Sequence, residues 1–205
     1  MKKLLSLSAL ALAAMVASAP ASAAIVVSFT PASSHINVGD TVAITMSISG
    51  LDDEILSAFD INMLFDSAVV RNHSVTHDVA SQWGPDSVFG PSVFGVGDTD
   101  VFDYTLDDDD TVAASQANSF AVLTFGFTGL ANGVTTIRLG DDLDFERAFV
   151  GRRFELLDVE VGTACLAVGT GSCGGGGNVP EPAGYGLAGL ALLGAGWASR
   201  RRKPV

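Results

Sequence analysis

Thr41-Val42-Ala43-Ile44-Thr45-Met46-Ser47-Ile48 decides the fold. Its even positions are Val, Ile, Met and Ile, and its odd positions are Thr, Ala, Thr and Ser. Side chains of an extended chain point to opposite faces in turn, so this stretch is a strand with one buried face. Downstream, Phe59, Ile61, Met63 and Phe65 alternate with Asp60, Asn62, Leu64 and Asp66 in the same way. The intervening Ser-Gly-Leu-Asp-Asp-Glu-Ile-Leu-Ser, 49–57, carries turn formers and charge and reads as the connecting loop.

Working outward, residues 121–127 (AVLTFGF) are almost continuously apolar, as a central strand of a sandwich would be. Residues 25–29, 135–139 and 154–161 are expected to be further strands, with Gly-Leu-Ala-Asn-Gly at 129–133 as a turn. No segment repeats its apolar residues with a helical period, although 141–149 is compatible with one helical turn. Residues 72–118 mix Gly, Pro, Asp and scattered aromatics, predicting long loops and one or two strands. Several short strands at this spacing predict an all-β sandwich.

Two terminal segments stand apart. Lys2 and Lys3, an apolar run from Leu4 to Val16, and Ala21-Ser22-Ala23 make a signal peptide over 1–23, cleaved before Ala24. At the other end, residues 183–199 form an apolar stretch at the short limit for a membrane-spanning helix. Arg200, Arg201, Arg202 and Lys203 follow at once, and such a cluster stays cytoplasmic. Both ends place the intervening domain, 24–173, outside the cytoplasm, with 174–179 as a Gly-rich linker. Six of the 11 Lys and Arg and one of the 23 acids lie outside 24–179, leaving five Arg against 22 acids, a net charge of -17. That surface repels nucleic acid and anionic lipid, and it favours solubility and cations.

The candidate chemistry is sparse. Cys165 and Cys173 lie close together, and outside the cytoplasm such a pair oxidises to a disulfide; a zinc site would need further ligands nearby. Asp98, Asp100, Asp103, Asp107, Asp108, Asp109 and Asp110 gather hard oxygen ligands that suit calcium, or else form a solvated acidic loop. Their spacing is not that of an EF-hand. Asp141, Asp142, Asp144 and Glu146 read as glycosidase carboxylates only if two of them face each other across a cleft. His73 and His77 read as surface residues. Trp83, Phe89 and Phe94 read either as a sugar-stacking surface or as core. No nucleophile elbow, zinc-protease helix or phosphate loop is present.

Pro180-Glu181-Pro182, the apolar stretch 183–199 and the basic Arg200, Arg201, Arg202 closely resemble the PEP-CTERM sorting signal. That resemblance implies processing by an exosortase, an inner-membrane intermediate held by the C-terminal helix, and final placement on the surface or in the extracellular matrix of a Gram-negative bacterium. The domain resembles a cohesin-type jelly-roll sandwich of about nine strands. The likeness rests on Val38-Gly39-Asp40-Thr41-Val42, Gly50-Leu51, Ala58-Phe59-Asp60-Ile61 and Leu64-Phe65-Asp66-Ser67-Ala68-Val69-Val70. Cohesins of cellulosomes bind dockerins. The expectation is a non-enzymatic exported module whose ligand is a surface protein or an exopolysaccharide; the alternatives are a carbohydrate-binding module and a glycoside hydrolase.

Overall fold

The structure, a computed structural model, describes residues 24–143 and 146–174. The expected signal peptide and the sorting tail lie outside these residues. The described strands are β1 (Ile25–Thr30), β2 (Ser33–Ile36), β3 (Thr41–Ser49), β4 (Ala58–Leu64), β5 (Val70–His77), β6 (Ser87–Phe89), β7 (Val93–Phe94), β8 (Asp98–Thr105), β9 (Ser119–Gly129), β10 (Gly133–Leu139), β11 (Arg147–Val150), β12 (Val159–Val161) and β13 (Ala164–Val168). One helix, α1 (Asp109–Ser115), interrupts them. A five-stranded sheet in the order β12-β1-β3-β9-β5 faces an eight-stranded sheet in the order β2-β13-β10-β4-β8-β6, with β11 beside β4 and β7 beside β8.

The two alternating stretches are β3 and β4, one in each sheet. Ile44, Met46 and Ile48 on β3 and Phe59, Ile61 and Met63 on β4 are fully buried and meet between the sheets. Gly39 stands at φ +91 in the turn that launches β3, a region that disfavours other residues. The continuous apolar run in β9 has a geometric cause. The register with β3 slips between Met46 and Ser47, Val122 is left without a partner, and Val122 and Leu123 both face the core. Phe125 and Phe127 complete that face, with Phe65 edge-on to Phe127.

The first and last strands each divide between the sheets, so more strands are formed than the nine expected. β12 pairs in parallel with β1, and β13 in parallel with β2. The chain crosses from one sheet to the other at Pro31, which has no N–H for a ladder, and at Gly162. Gly162 N–H donates to Val27 O and Cys165 N–H to Ala32 O, which ties the two crossings together.

Two expectations are corrected and a third is narrowed. Only 159–161 of the predicted strand 154–161 is extended in a ladder, because Arg153 and Phe154 adopt φ +55 and +62 in a 3-10 turn. The helical turn expected at 141–149 is limited to one bond, Glu146 N–H to Asp142 O: Glu146 Oε2 accepts the N–H groups of Asp141 and Asp142, and Arg147–Val150 pairs with β4. Residues 72–118 hold far more structure than loops and one or two strands. β5 was obscured by a bulge between Asn72 and Ser74. β8 was obscured because its inward positions are Thr99, Val101, Asp103 and Thr105 while its outward ones include Phe102 and Tyr104. Its polarity is the reverse of an ordinary half-buried strand.

Candidate binding face on the eight-stranded sheet

The inverted strand creates the most unusual surface of the domain. Asp98, Asp100, Phe102 and Tyr104 project outward along β8. Opposite them on β4 stand Leu64, Asn62, Asp60 and Ala58. Val88 of β6 faces Tyr104 and Val93 of β7 faces Asp100, extending the row to the sheet edge. Phe102 is 46% exposed, and its ring lies 5.3 Å from that of Tyr104. Asp60 sits among these groups with its pKa raised, first by burial and then by the charge of Asp100. The other sheet offers a contrast. β1, β3, β9 and β5 contain no Asp, Glu or Lys and expose none of the large hydrophobic residues, so their outer side is a hydroxyl-rich face. Thr45 and Thr124 hydrogen-bond across it, and Thr124 donates to Asp78.

Behind the face, the inward side of β8 is held to the other sheet. His77 Nδ1 donates to Asp103 Oδ2 at 2.6 Å, and Gly90 N–H donates to Asp103 Oδ1 at 2.9 Å. Asp103 is wholly buried, and burial raises its pKa against the lowering effect of His77 and of the Gly90 N–H. Thr99 Oγ1 donates to Asn72 Oδ1 across the same gap. His77 is therefore a cross-sheet partner and not the free surface residue expected. His73 is a surface residue, bonded to Thr128.

The seven aspartates proposed for calcium are not drawn into one loop. Asp98 and Asp100 lie on the outer face, while Asp103 turns inward to His77. Asp107 accepts from Thr105 Oγ1 and Asp86 N–H. Asp108 caps α1 through the N–H groups of Asp110 and Thr111, with its pKa lowered chiefly by the Thr111 N–H. Asp109 accepts from Arg153 N–H, and Asp110 lies 3.9 Å from Arg152. Among the described residues no group of three His, Cys, Asp or Glu is placed to hold a metal ion. The physical reason is that backbone donors and the strand pleat already direct most of these carboxylates.

Trp83 is core: it is 5% exposed, its Nε1 donates to Leu56 O at 2.6 Å, and it packs on Phe59 and Phe89. Phe89 and Phe94 remain exposed at the β6–β7 edge. Glu146 is turned onto its own loop and Asp141 toward Arg138, so neither faces an acid across a cleft; Asp144 lies outside the described residues. Cys165 and Cys173 form the expected disulfide, with Cα atoms 5.9 Å apart, which consumes both sulfurs. Sequence reading missed Phe102, Tyr104 and Asp60 as one surface. The available signal was the alternation of acids with aromatics in Asp-Thr-Asp-Val-Phe-Asp-Tyr-Thr.

Two sheets, paired terminal strands and one aromatic-bearing face define an all-β module with a cohesin-like fold. The sixth cohesin of scaffoldin B from Acetivibrio cellulolyticus, solved with a dockerin, is 15% identical with a TM-score of 0.55, covering 72% of this chain and 100% of its own. A type II cohesin domain from the cellulosome of that organism is 14% identical with a TM-score of 0.57, over 70% and 95%. The non-cellulosomal cohesin of the hyperthermophilic archaeon Archaeoglobus fulgidus is 10% identical with a TM-score of 0.51, over 72% and 93%. No curated protein matches the chain. Residues 178–203 match the PEP-CTERM protein-sorting motif. The chain is thus an exported protein that couples a cohesin-like module to an exosortase-type sorting tail.

Proposed function

We propose that this is a non-enzymatic display module, delivered to the cell surface through its tail, whose outer β8 face docks a partner protein. The observation that carries the reading is the reversed polarity of β8. A strand that buries Asp103, Thr99 and Thr105 while exposing Phe102 gives up packing that a purely structural strand would keep. Aromatic residues flanked by charge form the usual centre of a protein interface. The dockerin bound to the A. cellulolyticus cohesin supports the class of ligand, a folded protein, and not its identity. The buried Trp83 removes the largest ring from any sugar-stacking platform, and a carbohydrate-binding reading rests on Phe102 and Tyr104 with Phe89 and Phe94 at the edge.

A photo-crosslinking amino acid at position 102, installed in cells that export the protein, tests this. Irradiation is expected to yield a discrete protein adduct that the same residue at Ser28, exposed on the opposite sheet, does not give. Equal labelling from both positions would refute the assignment, and a protease-resistant polysaccharide adduct at 102 would favour the carbohydrate reading.

A further inference from the structure

We infer that the open side of the sandwich between β11 and β12 is a second binding site, taking a small apolar molecule that ends in a carboxylate and pairs with Arg147. Here β11 branches from β4 of the eight-stranded sheet, the five-stranded sheet ends at β12, and the segment 156–157 joins them. Leu157 N–H donates to Phe149 O, which fixes that bridge. A cavity of about 310 Å³ lies between them, lined by Leu143, Phe149, Leu156, Leu157 and Val159 around Arg147. That volume is at the small end of ligand sites, enough for one ring or a short alkyl chain.

Arg147 makes the cavity more than a packing gap. It stands opposite Ile61 in the β4–β11 ladder, a position whose partner faces the core. Its Nε is sealed from solvent and has no acceptor. No described carboxylate comes within ion-pair distance of it, in a domain with 22 acids. A guanidinium does not give up its charge, and its fork of donors matches a planar carboxylate. An unmet buried donor on a permanent cation is costly to leave bare. The apolar walls select the body of the ligand and Arg147 its end group. Asp158, exposed on the rim, disfavours anions carrying more than one charge. This site is separate from the β8 face and does not depend on it.

The probes are 4-phenylbutyrate, its neutral isostere 4-phenylbutanamide, and acetyl-Ala-Phe as a model of a peptide chain end, each titrated by saturation-transfer NMR into the exported protein purified from cells. A carboxylate is expected to bind with a Kd of about 1 mM or tighter and at least about tenfold better than the amide. Preference for the butyrate identifies a free acid as the source, and preference for the dipeptide identifies a chain end. Arg147→Met is expected to abolish the carboxylate preference without lowering the Tm, since it removes an unpaired cation. Should that variant fold poorly, Arg147→Lys, which keeps the charge and loses the fork, is expected to weaken carboxylate binding alone. Equal binding of acid and amide, or no saturable binding of any probe, would overturn the proposal.

Discussion

Replacing His77 by Ala is expected to destabilise the domain more than replacing Asp103 by Ala, although both delete the same hydrogen bond. Asp103 is wholly buried and has two donors, His77 Nδ1 and Gly90 N–H, whereas the His77 side chain is 22% exposed. His77→Ala therefore abandons a carboxylate in the core with one neutral donor, a loss of about 3–5 kcal/mol. Asp103→Ala leaves an imidazole that reaches water and a Gly90 N–H that still donates to Phe102 O, a loss of about 1–2 kcal/mol. A gap of about 2 kcal/mol corresponds to roughly 4–8 °C in Tm for a domain of this size.

The pH dependence separates the two variants further. Burial holds the pKa of Asp103 up, and His77 opposes that rise. Without His77 the folded-state pKa climbs further above the unfolded value of about 4. A carboxyl raised in this way contributes stability that is fully present below the unfolded pKa and is lost as pH rises through the folded pKa. His77→Ala should accordingly regain stability, relative to the parent, as pH falls through that raised folded-state pKa, and Asp103→Ala should lack this recovery. Urea unfolding followed by the fluorescence of buried Trp83 reads both effects. Equal losses in the two variants, or a His77→Ala deficit that does not change with pH, would refute the idea of a buried, cross-sheet charge.

Trp83→Ala is expected to cost about 3–5 kcal/mol in urea unfolding followed by far-UV circular dichroism, because the indole fills core space and donates to Leu56 O; a cost under about 0.5 kcal/mol would return Trp83 to the surface. Cys173→Ser should lower stability by about 2–3 kcal/mol through loss of a short closed loop, and alkylation of unreduced parent protein should label neither cysteine. Detection of two alkylated thiols would contradict the bond. Glu181→Ala is expected to retain the full-length chain in the inner membrane, whereas released parent protein lacks Arg200, Arg201 and Arg202 by intact mass. An uncut tail on the parent, or unchanged release of the variant, would count against sorting through the Pro-Glu-Pro motif.

Local pattern was enough wherever a residue's position along the chain fixes its surroundings. The period-two alternation of β3 and β4 determined an all-β sandwich, since burying one face of an extended chain requires a second sheet over it. The order of Pro180-Glu181-Pro182, apolar stretch and basic end determined the sorting motif, which is a linear signal. The closeness of Cys165 and Cys173, with export, determined the disulfide.

What the tertiary structure decided depends on partners distant in sequence. His77 and Asp103 lie 26 residues apart and meet only because β5 and β8 belong to facing sheets. Trp83 is buried because it reaches the 51–57 loop, which no local pattern announces. The direction in which β8 points is set by its pairing with β4, and Asp-Thr-Asp-Val-Phe-Asp-Tyr-Thr alternates equally well with either parity inward. The register with Phe59, Ile61 and Met63 turns Asp103 to the core and Phe102 to the solvent. The sequence alone therefore carried the class of the fold and the sorting motif, while the location of the proposed binding face was decided by strand pairing.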